Sequence, residues 1–206
     1  MLNVSSLECV RGDRRLFKDV SFSLEPGELL YLHGHNGSGK TTLLRTLSSL
    51  VRPEAGEIHW QQTSIFELGE EYTQHVMYLG HKNAIKDDLS AAENLVISSR
   101  LDGNAISQAQ AWQALEKIGL RGMEDLPVKV LSQGQRKRVA LSRLLVTDTR
   151  LWILDEPFVA LDKAAVALLQ DVIRQHLDSG GMAILTTHQE VALTSGEPKT
   201  LQLGWQ

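Results

Sequence analysis

Apolar residues along the chain fall into short runs that predict strands, separated by stretches with helical spacing. Residues 2–9 alternate loosely between apolar and polar and predict a first strand. The segments 16–24 and 28–33 flank Glu25-Pro26-Gly27, a turn sequence, and are expected to pair as strands. Within the second of them, LLYLH is apolar on both faces, which is typical of a buried central strand. Further strands are predicted at 56–61, in the apolar run of LWILDEP (151–157), at 182–187 and at 201–203.

The helical patterns predict how the strands are connected. In the segment 107–118, Ala111, Trp112, Leu115 and Ile118 are expected to share one face. Because apolar strands alternate with helices, the chain is predicted to be an α/β protein with a parallel sheet. Three helices follow one another directly and are expected to form a helical subdomain inserted into the core. The predicted helices span 40–50, 90–100, 107–118, 136–146 and 164–177.

Length and composition limit the classes of protein that remain. The chain has 206 residues, 42% of them hydrophobic, which predicts one domain with a substantial core. A net charge of −4 argues against a dedicated nucleic-acid-binding protein. One cysteine, Cys9, fits a reducing compartment. The N-terminus has no signal-peptide pattern, and no run approaches the roughly 18 apolar residues that span a bilayer, so a soluble or peripheral protein is expected.

The strongest chemical motif is GHNGSGKTT, residues 34–42, which matches the phosphate loop G-x-x-x-x-G-K-[ST]. A predicted strand precedes it and a predicted helix follows, which a chance glycine turn would not explain. The glycines let backbone N–H groups converge on phosphate oxygens, and the helix N-terminus adds positive potential. Lys40 is expected to reach the β- and γ-phosphates, and Thr41 to bind Mg²⁺. The predicted nucleotide-binding residues are Gly34, His35, Asn36, Gly37, Ser38, Gly39, Lys40, Thr41 and Thr42.

Two acids and a histidine follow predicted buried strands. Ligands of parallel sheets bind beyond the carboxyl ends of the strands, so Asp155 is expected beside the phosphate loop as a Mg²⁺ ligand. Glu156 is then placed to activate an attacking water. The simpler interpretation is that both acids only end a strand before Pro157. A phosphate loop in the same chain favours the functional interpretation over this one. His188 follows the next strand and is expected on the same edge, where it can hydrogen-bond the γ-phosphate or the water.

A second motif, LSQGQRKRV at residues 131–139, has the form of a specialised helix start. Ser132 is a typical N-cap residue, and Gln135 follows three residues later, which is the spacing of a capping box. Capping alone would not require Gly134. The basic run 136–138 is interpreted in part as a solvated face.

In this order, the motifs resemble those of the ATP-binding cassette (ABC) family over essentially the whole chain. GHNGSGKTT resembles Walker A, LSQGQ the family signature, LWILDEP Walker B, VALD with Asp162 the D-loop, and TTHQ the switch-histidine loop. The resemblance implies a phosphate-loop NTPase with a RecA-like parallel-sheet core, an antiparallel β subdomain and an inserted helical subdomain. Expected boundaries are 1–84 and 148–206 for the core and about 85–147 for the helical subdomain.

The resemblance also implies an ATPase that works as a dimer, in which each ATP lies between the Walker A loop of one subunit and the signature of the other. Expected partners are a second, identical cassette and integral membrane transporter subunits, with indirect membrane contact and no nucleic acid. ATP is the expected substrate and Mg²⁺ the expected cofactor. Lys40, Glu156 and His188 are the expected catalytic residues. The signature residues expected to act on the partner's nucleotide are Ser132, Gln133, Gly134 and Gln135.

Three departures from the family pattern bear on the site. Gln133 replaces the first glycine of the usual LSGGQ. His81, in GHKNAIK, falls where the family has a glutamine that contacts the metal or the water. We therefore expect His81 as its pH-sensitive substitute among the Mg²⁺ ligands. The aromatic residue that stacks on adenine is missing near Gly12, which leaves Arg11 or Phe17 for that position and predicts loose nucleotide selectivity.

Within the family, the chain resembles ATP-binding subunits that serve haem export in bacterial cytochrome c maturation. The likeness lies in the short chain, the histidine of GHKNAIK, and the runs WILDEPF and ILTTHQ. It implies that ATP binding and hydrolysis move membrane subunits, at the cytoplasmic side of the inner membrane. Other transporters, and non-transport cassettes of DNA repair or the ribosome, remain alternatives. A small-molecule kinase would leave LSQGQ, VALD and His188 without a role.

Overall fold

The computed structural model describes residues 1–187 and 198–204, and the strands in them form two separate sheets. The strands are β1 (Leu2–Arg11), β2 (Arg14–Leu24), β3 (Leu29–Gly34), β4 (Ala55–Trp60), β5 (Thr63–Ser64), β6 (Val76–Leu79), β7 (Leu151–Leu154), β8 (Met182–Thr186) and β9 (Lys199–Leu203). One sheet is antiparallel, in the order β2-β1-β4-β5. The other is parallel throughout, in the order β6-β7-β8-β3-β9. The α/β fold with a parallel core and an antiparallel sheet is therefore confirmed.

Helices cover the parallel sheet and connect its strands. They are α1 (Lys40–Leu47), α2 (Ile65–Leu68), α3 (Glu70–Thr73), α4 (Ala91–Leu101), α5 (Gln108–Lys117), α6 (Gln133–Leu141) and α7 (Lys163–Asp178), with 3-10 turns at Val128–Val130 and Ser142–Leu145. The buried side of α1, with Leu43, Leu44 and Leu47, packs in one cluster with residues of both sheets. This packing holds the helix that follows the phosphate loop between the two sheets.

The predicted pairing of 16–24 with 28–33 is wrong. β2 pairs antiparallel with β1, whereas β3 lies between β8 and β9 in the other sheet. The reason is visible in the burial of each strand. β2 has exposed residues along much of its length, while Leu29, Leu30, Tyr31 and Leu32 of β3 are all buried. A strand buried on both faces belongs to the parallel core, so the turn at 25–27 leads from one sheet into the other.

The register of the parallel sheet brings polar residues together at its carboxyl edge. Leu154 of β7 pairs with Leu79 of β6 and Leu185 of β8, and Thr186 pairs with Leu32 of β3. Asp155, the first residue after β7, therefore lies next to Thr186. The loop after β3 opens at the same edge.

Helix α4 contacts both α5 and α6, and each of these three helices begins with a formed capping box. The cap pairs are Ser90 with Glu93, Ser107 with Gln110, and Ser132 with Gln135. In α5, Ala111 and Leu115 are buried, as is Ile118 just after it, but Trp112 is 42% exposed. The prediction for Trp112 is wrong because one residue further along a helix turns the side chain by roughly 100°.

Several element bounds differ from the predicted ones. The first helix ends at Leu47 rather than residue 50, because Ser49 takes a left-handed φ of 60° and the Leu50 N–H donates to Arg45 O at 2.9 Å. The helix predicted at 136–146 begins at its N-cap Ser132 and becomes a 3-10 turn after Leu141. The elements β5, α2, α3 and β6 were not predicted, since each has at most four residues and shows no clear period.

The packing of α7 on β7 predicts how stability depends on pH. The ring of His176 stacks on Trp152 with centroids 3.7 Å apart, and its Nε2 lies 3.1 Å from Met182 O. Burial lowers the pKa of His176 below its ordinary value, and hydrogen bonding to the backbone opposes that shift. The unfolded chain therefore takes up this proton more readily than the folded chain. The free energy of unfolding should be undiminished above about pH 6.5 and should decrease as the pH falls below it.

Chemical denaturation between about pH 8 and pH 5.5 measures this dependence. The His176→Phe variant should show a shallower loss of stability at low pH, because phenylalanine stacks but does not titrate. An unchanged slope in His176→Phe would contradict the assignment.

Candidate nucleotide site

The phosphate loop lies between β3 and α1, as predicted. Gly39, the residue before α1, has a left-handed φ of 99°, and a β-carbon there would lie 2.9 Å from the ring of Phe17. Glycine is thus required both by conformation and by space. No side chain caps the start of α1. Its first N–H groups therefore remain suited to an anion.

Lys40 folds back across this loop. Its ammonium donates to the carbonyl oxygens of Gly34, at 2.6 Å, and His35, at 3.2 Å. An ammonium has three hydrogens to donate, so these two bonds orient the side chain and leave one hydrogen for a phosphate oxygen.

A chain of hydrogen bonds links the phosphate loop to the carboxylate pair. The Thr41 hydroxyl donates to Asp155 Oδ2 at 2.8 Å, and the Thr186 hydroxyl donates to Asp155 Oδ1 at 2.9 Å. The Glu156 N–H in turn donates to the Thr186 hydroxyl oxygen at 2.8 Å. Asp155 is 4% exposed, and Glu156 holds a left-handed φ of 49°. The sequence did not single out Thr186, although its place at a strand end beside Asp155 was a usable signal.

An open cleft of about 510 Å³ joins these residues to the hairpin between β1 and β2. Arg11, Arg14 and Leu16 form its wall on the hairpin side, and Phe17 is buried against the loop instead. The base-stacking position suggested for Phe17 is therefore wrong, while Arg11 stays available for it. From the other side the cleft is lined by Asn36, Gly37, Gly39, Lys40, Thr41, Thr42, Asp155 and Glu156.

The basic run 136–138 is only in part a solvated face, because its middle residue is buried. Lys137 is only 9% exposed, and Arg136 and Arg138 form ion pairs with Asp87 and Asp162. Burial lowers the pKa of Lys137, while the charges of Asp155 and Glu156 oppose that shift. Helix α6 thus carries a largely buried ammonium, that of Lys137, which interacts electrostatically with Asp155 and Glu156.

The signature and the D-loop meet each other within the chain. A β-carbon at Gly134 would lie 3.0 Å from Ala160 O, which requires a small residue there. Asp162 caps α7 by accepting from the Ala165 N–H at 2.8 Å. The Ser132 cap uses its hydroxyl oxygen as an acceptor from the Gln135 N–H at 3.3 Å, which leaves the hydroxyl hydrogen to donate.

The histidine predicted as a Mg²⁺ ligand, His81, is not brought into the cleft. His81 is exposed in the segment between β6 and α4 and is not among the residues that line the cleft. Its role as a Mg²⁺ ligand gains no support from this placement. His188 lies outside the described residues.

A phosphate loop bonded through its threonine to a strand-end aspartate, at the carboxyl edge of a parallel sheet, defines a phosphate-loop nucleotide-binding protein. The family model described as ABC transporter matches residues 17–159. The chain belongs to the ABC transporter family and, as a member of it, is an ATPase.

Relatives in curated proteins cover almost the whole chain. A protein of Nitrosomonas europaea named cytochrome c biogenesis ATP-binding export protein CcmA is 56% identical over 95% of this chain and 92% of its own length. A protein of the same name from Dechloromonas aromatica is 53% identical over 99% of this chain and 100% of its own. A solved dimeric ATP-binding cassette bound to ADP and Pi shares the fold, with a TM-score of 0.80 and 22% identity over 92% of this chain and 88% of that one.

Helices that could cross a membrane are absent from the described ranges, 1–187 and 198–204, since none there is long and apolar enough.

Proposed function

We propose that the chain is the ATP-hydrolysing subunit of a membrane transport complex that serves bacterial cytochrome c maturation, with haem as the transported class of molecule. The observation that carries the ATPase part is the 2.8 Å contact between Thr41 and Asp155, which joins the phosphate loop to the carboxylate pair. The names of the curated relatives support the export and maturation part. The complex lies at the cytoplasmic side of the inner membrane, with this chain attached through membrane subunits.

Four described residues carry the proposed reaction. Lys40 neutralises charge on the β- and γ-phosphates, and Glu156 accepts the proton of the attacking water. Thr41 and Asp155 fit a Mg²⁺ site, because a hydroxyl and a carboxylate oxygen meet at one point and Mg²⁺ is usually held by few protein oxygens plus phosphates and waters. When bound, Mg²⁺ supplies charge neutralisation at the phosphates. His188 keeps its proposed place beside the γ-phosphate on sequence grounds.

The proposed catalytic unit is a homodimer. Residues 132–135 do not line the chain's own cleft, whereas the helix start they form is suited to a phosphate. In the dimer, the Ser132 hydroxyl and the Gly134 N–H of one subunit reach the nucleotide held by the other. Asp162 follows the segment that contacts Gly134 and belongs to the same interface.

The membrane subunits are proposed to dock between the core (1–84 and 148–206) and the helical subdomain (about 85–147). A groove of about 570 Å³ lies there, with Leu50 and Leu101 on its rim, 63% and 83% exposed. Both are large apolar side chains, and a partner that docks in the groove would remove them from water. When ATP binds or is hydrolysed, the helical subdomain would move, and this movement would change the shape of the groove and the position of His81.

Isolation of the tagged chain from detergent-solubilised membranes tests this proposal. We expect the wild type to recover integral membrane proteins that handle haem, and the Leu101→Asp variant to lose them while still binding ATP. Leu126→Asp, at another exposed leucine (43%), is the matched control and should retain them. Recovery of ribosomes without membrane proteins would favour a non-transport cassette, and membrane proteins unrelated to haem would favour another transporter.

A further inference from the structure

The hydroxyl of Thr186 lies at the centre of the hydrogen-bonded chain that runs through the site. Thr186 ends β8 and is fully buried, at 0% exposure. Its O–H donates to Asp155 Oδ1 at 2.9 Å, and its oxygen accepts from the Glu156 N–H at 2.8 Å. Since a hydroxyl has one hydrogen and two lone pairs, both bonds form at once. One side chain therefore holds the two acidic residues.

The two hydrogen bonds of Thr186 orient the two acidic residues: one fixes the Asp155 carboxylate and the other fixes the backbone of Glu156. With Oδ1 of Asp155 held by Thr186, the second oxygen, Oδ2, is directed to Thr41. Glu156 has a φ of 49°, a region that residues other than glycine rarely adopt and that the surrounding structure must maintain. The Glu156 N–H donates to the Thr186 hydroxyl oxygen. The direction in which the Glu156 side chain leaves the backbone therefore depends on this hydroxyl.

Strand pairing does not require this hydroxyl. Leu154 and Leu185 are paired in the parallel ladder, and the Asp155 N–H donates to Leu79 O at 2.8 Å. Valine has nearly the same shape as threonine and would fill the same space between the strands, but it would leave Asp155 Oδ1 and the Glu156 N–H without this partner. The hydroxyl thus contributes its hydrogen bonds to Asp155 and Glu156 beyond what the fold requires.

We propose that Thr186 is a positioning residue for ATP hydrolysis, which ties Asp155 to the backbone of Glu156 and thereby aims the Glu156 carboxylate at the water. This inference rests on the proposed function, in which Glu156 is the base. It adds a residue from a neighbouring strand to a site otherwise made of the phosphate loop and the turn after β7.

The test compares Thr186→Val with Thr186→Ser in the full-length chain. Valine should lower kcat for ATP hydrolysis by about 10- to 100-fold, as misplacement of a reacting group does, and should leave the dissociation constant for ATP essentially unchanged. Serine restores the hydroxyl and should recover most of the turnover. The Glu156 amide should exchange with solvent faster in Thr186→Val than in the wild type or Thr186→Ser.

A matched control separates this role from simple packing. Thr46 is also fully buried and its hydroxyl donates to Thr42 O at 3.0 Å, so Thr46→Val removes a comparable bond away from the carboxylates. Its kcat should stay near the wild-type value. The proposal is overturned if Thr186→Val turns over at the wild-type rate. It is overturned equally if Thr186→Ser is as slow as valine, or if kcat, ATP affinity and melting temperature fall together in Thr186→Val.

The outcome can be told apart from failure of the proposed function. A wild-type chain that hydrolyses ATP, a Glu156→Gln variant that does not, and an unimpaired Thr186→Val variant would reject only the role of Thr186. A Glu156→Gln variant with full turnover would reject the assigned base itself.

Discussion

The Glu156→Gln variant is expected to bind ATP but to hydrolyse it at least about 100-fold more slowly than the wild type, the usual contribution of a general base. Glutamine has the size of glutamate but does not accept a proton from water. The residue lines the cleft together with Lys40 and Thr41, and the backbone bond from Glu156 N–H to Thr186 is independent of the side-chain charge. ATP should therefore stay bound, and the closed dimer should accumulate, because the step that reopens it is slow.

Phosphate release under saturating ATP measures the loss of turnover, and light scattering or sedimentation with and without ATP measures the dimer. Glu57→Gln is the matched control, since this acid is 73% exposed on the antiparallel sheet and does not line the cleft. It should hydrolyse ATP normally and should not accumulate as a dimer. Undiminished hydrolysis by Glu156→Gln would falsify the assignment of the base.

The parts of the site that the sequence could predict are those with a local pattern. The phosphate loop has a fixed spacing and a strand before it, so Lys40 and Thr41 were recognisable without a structure. Asp155 was expected beside the phosphate loop by the rule that ligands bind beyond the carboxyl ends of parallel strands, and the hydrogen bond from Thr41 places it there. The capping box of Ser132 and Gln135 follows from a three-residue spacing and is also confirmed.

The parts that could not be predicted depend on which strands become neighbours. Thr186 contacts Asp155 only because β7 and β8 are adjacent and in register. The sequence of either strand alone does not predict that they pair. Arg14 reaches the cleft because the hairpin of the antiparallel sheet folds over the phosphate loop. Lys137 stands in a basic run that indicates solvent by composition, yet its position on α6 turns it inward. Tertiary packing overrides the local pattern at each of these positions.

The signature residues 132–135 do not line the cleft of their own chain. A helix start that presents the Ser132 hydroxyl and the Gly134 N–H is suited to a phosphate, yet a complete phosphate loop already lies in the same chain. Contact between Gly134 and Ala160 ties the signature to the D-loop, and Val159 beside it is 45% exposed. This surface is therefore the expected contact with a second copy, in which each signature completes the site of the other chain.

A mixture of two inactive variants should regain activity if the signature acts across a dimer. Lys40→Ala removes the lysine of the chain's own loop. Gly134→Asp places a negative charge where the partner's γ-phosphate would lie, next to Ala160 O. Each variant alone should hydrolyse no ATP, although Gly134→Asp should still bind it through Lys40. In a mixed dimer one site carries both changes and the other carries neither, so equal mixing should restore about a quarter of the wild-type rate.

A chain carrying both Lys40→Ala and Gly134→Asp is the matched control. When it pairs with a wild-type chain, each of the two sites contains one change, so mixing should add no activity to that of the wild-type dimers. Ser132→Arg, at an exposed position of the same helix start, is a second signature variant should Gly134→Asp fold poorly. If the signature served the nucleotide of its own chain, the two single variants would stay inactive when mixed. Recovery therefore distinguishes a site shared between two chains from a site completed within one.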